Sequence, residues 1–115
     1  MDNAAKLQMF FQTLGEANRL RIIKFIGDKE CPVSEIVKAT GLSQPLVSHH
    51  LKTLRQARIL DTKRQGPFVY YKLKDKKLLD ALGLFNEIVN SIGHIHVKER
   101  MFRCPSWWDR HWDMC

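Results

Sequence analysis

Near the middle of the chain the hydrophobic period switches from helical to alternating, and few folds accommodate that switch in the order seen here. Pro32 and Ser34 open a short helical stretch with Ser34 as its N-cap and Ile36 and Val37 facing inward, and Gly41 stops it after about two turns. Ser43 then caps a second helix, Pro45 falls in its first turn where no N–H is needed, and Val47, Leu51 and Leu54 repeat at spacings of four and three. Past Ala57 the pattern alternates. Leu60 and Thr62 are interleaved with Asp61 and Lys63, and Val69, Tyr71 and Leu73 with Phe68, Tyr70 and Lys72, on either side of the turn Arg64-Gln65-Gly66-Pro67. This predicts a β-hairpin with a basic tip.

Helices flank this centre. Leu7, Phe10, Phe11 and Leu14 share one face of a helix from Ala4 that Gly15 interrupts. A second helix, with Asn18 as its expected cap, carries Leu20, Ile22, Ile23, Phe25 and Ile26 around most of its circumference and should be largely buried. The last long helix is expected over about 75–103, with Leu78, Leu82, Phe85, Val89, Ile92 and His96 in a heptad-like seam. So much apolar surface is hard to cover in a chain of 115 residues. A second copy of the chain covers it most simply, with Phe10 and Phe11 joining the interface; packing within one chain is the alternative.

Charge concentrates where the period changes. Residues 31–73 hold seven Lys or Arg against two Asp or Glu, whereas the segments on either side are nearly balanced. A solvated surface explains scattered charge, but a positive field confined to one short segment suits a polyanion such as nucleic acid.

Two helices joined by a short Gly-containing turn and followed by a basic hairpin make a winged helix-turn-helix, so the expected fold class is mainly α with a β-hairpin wing (α+β). The helix beginning at Ser43 becomes the recognition helix, its apolar stripe anchored and its opposite face free for the major groove. Gln44 suits adenine, Ser48 suits base edges of either kind, and His49 suits guanine or phosphate. Lys52 and Arg55 suit phosphates, Ser43 at the helix start is a further DNA-contact candidate, and Lys63, Arg64 and Gln65 of the wing reach the backbone or an adjacent minor groove. His50, nearer the apolar stripe, reads as a packing or hydrogen-bonding residue.

These segments resemble the ArsR/SmtB regulators over roughly residues 10–75. LGEANRLRIIKFI is similar to their second helix, VSEIVKATGLSQPLVSHHLKTLRQARIL to their helix-turn-helix and DTKRQGPFVYYKL to their wing. The resemblance implies a homodimer that binds an imperfect inverted repeat in operator DNA and represses until an inducer weakens binding, with Gln44, Ser48 and His49 as base readers. The family's known sensor sites do not carry over. At the arsenic-site positions Cys31 sits one place early, and Ser34 and Val37 replace the other ligands. Asp75 of the zinc pattern is present, but Lys77, Ile88 and Ser91 replace its histidines, and Lys24 stands where the thiol-sensing type has a cysteine.

The remaining thiols are Cys31, Cys104 and Cys115, an odd and scattered set unlike a secreted disulfide framework. Residues 104–115 form a tail distinct from the domain at 1–103, with three tryptophans among residues 107–112. Either the tail is an apolar clasp with inert cysteines, or its thiols with Cys31 bind As(III) or another thiophilic ion, or form a reversible disulfide. His94, His96 and His111 are spare nitrogen ligands. No other cofactor is expected.

Within the domain the helix-turn-helix is expected at about 33–58 and the wing at about 59–73. No apolar run is long enough to cross a bilayer, and Asn3, Gln8, Gln12 and Glu16 interrupt any signal-peptide core, so a cytoplasmic protein without membrane association is expected. An enzyme is disfavoured by the lack of a phosphate loop, a metalloprotease motif or a nucleophile elbow; pairing Cys104 with His94 or His111 is no evidence of a pocket. A winged helix that contacts protein, or a regulator with no ligand, remains the alternative.

Overall fold

A computed structural model describes residues 2–92, which run α1 (Asn3–Leu14), α2 (Ala17–Ile26), β1 (Cys31–Pro32), α3 (Val33–Thr40), α4 (Gln44–Gln56), β2 (Leu60–Gln65), β3 (Phe68–Leu73) and α5 (Lys77–Ser91). The chain divides into two compact units, Met1–Leu79 and Asp80–Cys115. The fold class is the expected one, mainly helical with an antiparallel wing.

The core of the first unit is aliphatic. Ile22, Ile23 and Ile26 of α2, Ile36 of α3 and Val47, Leu51 and Leu54 of α4 are fully buried, and Leu60 and Leu73 close the layer from the wing. Each such side chain contributes roughly 1.5–3 kcal/mol through the water it sheds. The stripe at 47, 51 and 54 is therefore what holds α4 down.

Two of the three glycines with positive φ shape the helix-turn-helix and the wing. Gly41 ends α3 at φ 70°, the left-handed conformation, while its N–H donates to the Val37 carbonyl at 2.9 Å. Thr40 secures the same corner: its hydroxyl donates to the Ile36 carbonyl at 2.8 Å and accepts from the Leu42 N–H at 3.4 Å. Gly66 turns the wing at φ 60°.

Two helix starts differ from expectation. α2 is capped by the Glu16 carboxylate, which accepts from the Arg19 N–H at 2.9 Å, while Asn18 lies inside the helix. α3 begins at Val33 after Pro32, so Ser34 sits within its first turn and caps nothing. Pro32 supplies the extended backbone that a cap position needs, without a side-chain bond. By contrast, Ser43 caps α4 as expected, its hydroxyl oxygen accepting from the Leu46 N–H at 3.3 Å.

The wing is a sheet of order β1-β3-β2. Leu60 lies opposite Leu73, Thr62 opposite Tyr71 and Arg64 opposite Val69, while Cys31 and Pro32 pair with Tyr71 and Tyr70 on the other edge of β3. β1 was not foreseen, because two residues carry no period. It gives β3 a partner on both edges and sets Cys31 on the buried face.

The helix from Lys77 is described to Ser91; its expected continuation to residue 103 lies outside the described residues. The Asp75 carboxylate accepts from the Lys77 N–H at 2.9 Å. None of the described α5 residues is buried, and Leu84, Phe85, Ile88 and Ile92 are exposed.

Candidate nucleic-acid interface

Anchoring α4 by Val47, Leu51 and Leu54 turns its remaining faces outward by helical geometry. Gln44, Ser48, His49, Lys52 and Arg55 are all exposed. Ser43 has spent an oxygen lone pair on the cap, which leaves its O–H free to donate. α4 thus presents donors, acceptors and cations together, the mixture that base edges and phosphates require.

His49 and His50 are adjacent but differ in environment. His49 is exposed, whereas His50 is only 5% exposed and belongs to the packing, as expected. Arg19 donates from Nε to His50 Nδ1 at 3.3 Å, and Glu16 Oε2 lies 3.8 Å from His50 Nε2. Burial pushes the His50 pKa down; Glu16 opposes that shift, and Arg19 and His49 add to it. Its imidazole is accordingly neutral. Arg19 and Glu16 escaped the sequence reading because nothing in local spacing links them to α4.

The wing residues Lys63, Arg64 and Gln65 are exposed in the last half of β2. Strand alternation separates them. Arg64 shares a face with Thr62 and Leu60, while Lys63 is on the other face with its Nζ 3.7 Å from Glu30 Oε1. Arg58, between α4 and the wing, takes φ 61°, which a residue with a Cβ rarely adopts. Its N–H donates to the Arg55 carbonyl at 3.0 Å, and the Ile59 N–H reaches back to the Leu54 carbonyl at 3.0 Å, closing α4.

The apolar faces expected at a dimer are open in part. On α1, Phe10 is half-buried and Phe11 exposed, their rings edge to face with centroids 5.9 Å apart, and Leu7 and Met9 are exposed. On α5, Leu78, Leu82 and Val89 are half-buried and Phe85 exposed, as is Ile92 just past its end.

Cys31 is 1% exposed, and burial is the main cause that pushes its thiol pKa up, so it is a protonated packing residue in this conformation. Among the described residues no group of three His, Cys, Asp or Glu side chains converges to hold a metal ion. Cys104, Cys115, His94, His96 and His111 lie outside the described residues. No helix among the described residues is long and apolar enough to cross a membrane.

Residues 16–62, from the cap of α2 to the start of the wing, match the family model for bacterial regulatory proteins of the arsR family. A transcriptional repressor SmtB homolog from Synechocystis sp. is 30% identical over 92 residues, covering 80% of this chain and 67% of that protein. The arsenic resistance transcriptional regulator ArsR1 of Pseudomonas putida is 42% identical over 64 residues, a match spanning 55% of this chain and half of the relative. Among solved structures, HlyU from Vibrio cholerae superposes with a TM-score of 0.68 at 26% identity, covering 76% of this chain and 95% of that one. The family consists of DNA-binding regulators rather than enzymes. With the family match over α2 to α4 and the similarity to the SmtB homolog, this chain belongs to the ArsR family of winged helix-turn-helix transcriptional repressors.

Proposed function

We propose that the chain acts as a homodimer that binds an inverted repeat in double-stranded operator DNA. Gln44, Ser48 and His49 contact base edges in the major groove, and Ser43, Lys52 and Arg55 contact the flanking phosphates. Lys63, Arg64 and Gln65 extend the contact along the backbone. The observation that carries this reading is the division of α4, in which three fully buried residues fix the helix while Gln44, Ser48, His49, Lys52 and Arg55 stand exposed together. Phe10 and Phe11 of α1, Leu78, Leu82, Phe85 and Val89 of α5, and Ile92 just beyond it form the dimer contacts; their partial exposure in one chain supports this, since apolar area of this kind is covered in solution. Such a regulator works in the cytoplasm, where its DNA is.

Selection of bound duplexes from a randomised pool, followed by footprinting, tests the reading. Two protected half-sites about one helical turn apart are expected, and a Gln44→Ala, Ser48→Ala pair should flatten sequence preference more than it weakens binding. Failure to retain any duplex, or retention of a monomer on DNA, overturns it.

For release from DNA the reading is a thiophilic metal(loid) ion such as As(III), or a thiol oxidant, acting on Cys31, Cys104 and Cys115. Its support is the similarity to a relative named for arsenic resistance and the presence of three thiols. Because Cys31 has no companion ligands among the described residues, the set depends on Cys104 and Cys115. Unchanged release by As(III), zinc or peroxide after all three cysteines are replaced by serine excludes it.

A further inference from the structure

One guanidinium ties three parts of the first unit together. Arg19, in the first turn of α2, donates from Nη1 to the Thr13 carbonyl at 3.1 Å and from Nε to His50 Nδ1 at 3.3 Å. Thr13 lies in the last turn of α1, where carbonyls lack a helical partner, and His50 lies in the middle of α4 between His49 and the buried Leu51. The Arg19 N–H is meanwhile held by the Glu16 carboxylate that caps α2. The end of α1, the start of α2 and the recognition helix are thus linked through a single side chain.

The link requires one protonation state. Guanidinium nitrogens only donate, so His50 Nδ1 must offer a lone pair and the imidazole proton must sit on Nε2. Nε2 is buried and has no hydrogen-bond partner, and its nearest carboxylate oxygen, Glu16 Oε2, is 3.8 Å away, too far for a bond. A second proton on His50 places an N–H against the Arg19 N–H and a cation against a cation. The attraction that remains is to Glu16, which is already engaged in capping α2. The charged and titratable groups acting on His50 are Glu16 and Arg19 from the α1–α2 corner and His49 from its own helix.

We propose that Arg19 is a positioning residue for DNA recognition, holding the recognition helix to the α1–α2 corner through a neutral His50, so that acid loosens the grip on DNA. This rests on the reading that α4 enters the major groove. Protonation exchanges the Arg19–His50 bond for a His50–Glu16 pair, frees α4 from α1 and withdraws the base-reading face from its register.

The test measures fluorescence anisotropy of a labelled duplex, selected by the wild-type chain from a randomised pool, from pH about 8 to about 5 at constant ionic strength. Wild-type affinity is expected to fall about tenfold or more relative to the His50→Gln variant across that range. The glutamine amide oxygen accepts from Arg19 and does not titrate, so His50→Gln should match the wild type near pH 8. Every other group is common to both proteins, so the difference between their profiles reports His50. Arg19→Leu should bind about tenfold more weakly near pH 8 with its thermal midpoint still above the assay temperature. Profiles that coincide for wild type and His50→Gln overturn the inference. If no duplex can be selected, the DNA reading fails and the inference falls with it. Nitrogen NMR of the wild type checks the linkage without a variant: the Nε2–H tautomer is expected, with α4 amide resonances moving as His50 titrates, and an Nδ1–H tautomer at neutral pH overturns the proposal.

Discussion

Lys63 and Arg64 are neighbours in the chain that face opposite ways on the wing, Lys63 with its Nζ 3.7 Å from Glu30 and Arg64 on the face of Thr62 and Leu60. Both are exposed, but only Lys63 starts from an ion pair. An exposed pair of this kind holds the side chain weakly, by well under about 1 kcal/mol, yet it still has to be exchanged when phosphate arrives. Arg64→Ala should therefore reduce the salt slope of DNA binding by about one unit and Lys63→Ala by less. Glu30→Gln should tighten binding at low salt. Equal slopes for the two alanine variants, with no effect of Glu30→Gln, would show that the ion pair does not persist in solution.

The anchoring of α4 is separable from its DNA face. Leu51→Ala leaves a cavity beneath the recognition helix and should cost about 2–5 kcal/mol of unfolding free energy. Lys52→Ala, one position on and exposed, should cost almost nothing in stability while weakening DNA binding. Denaturant titration and anisotropy on the same preparations distinguish them; a Lys52→Ala protein as unstable as Leu51→Ala contradicts the assignment of faces.

Arg58 occupies a backbone conformation better suited to glycine, at a position where the chain leaves α4 for the wing. Arg58→Gly removes the steric penalty of the left-handed region, about 1 kcal/mol, and gives back part of it through a more flexible unfolded chain. A net gain of up to about 0.5 kcal/mol is expected from chemical denaturation. Loss of the cation should lower DNA affinity at the same time, and a variant that loses stability as well would mean that Arg58 makes interactions worth more than its strain.

Cys31 should resist modification. Its thiol is buried, and burial raises its pKa above the ordinary 9.0, so the folded state favours the protonated form. That contribution is fully present below the unfolded value and is lost as pH rises through the folded one, which makes the protein less stable in alkali above about pH 9. In neutral solution an aromatic disulfide reagent is expected to label Cys31 at the rate of unfolding. Labelling as fast as a free thiol would disprove its burial and make it an accessible ligand.

His50 titrates with the opposite sign. Its depressed pKa means that stability is present above the ordinary histidine value of 6.5 and declines as pH falls below it. Thermal melts of wild type and His50→Gln between pH about 8 and about 5 should diverge on the acid side only.

The local devices of this fold were legible in the residues because each depends on near neighbours. The stripe of Val47, Leu51 and Leu54, the Ser43 cap, the left-handed Gly41 and the alternation of Leu60 with Thr62 follow from the geometry of a single element, and they sufficed for a winged helix-turn-helix and for which α4 residues are exposed. The tertiary structure decided what depends on distant pairing. Cys31 and Pro32 become a strand only because β3 offers them an edge, and a two-residue segment has no period to announce it. Glu16 displaces Asn18 as a cap where the chain turns from α1 into α2. His50, kept neutral chiefly by burial, accepts from Arg19, 31 positions away, and Lys63 is turned toward Glu30 across the wing. Hydrophobic period reports which face of an element is covered; it carries no information about which polar partner another element will bring there, and those partners decide how the recognition helix is held.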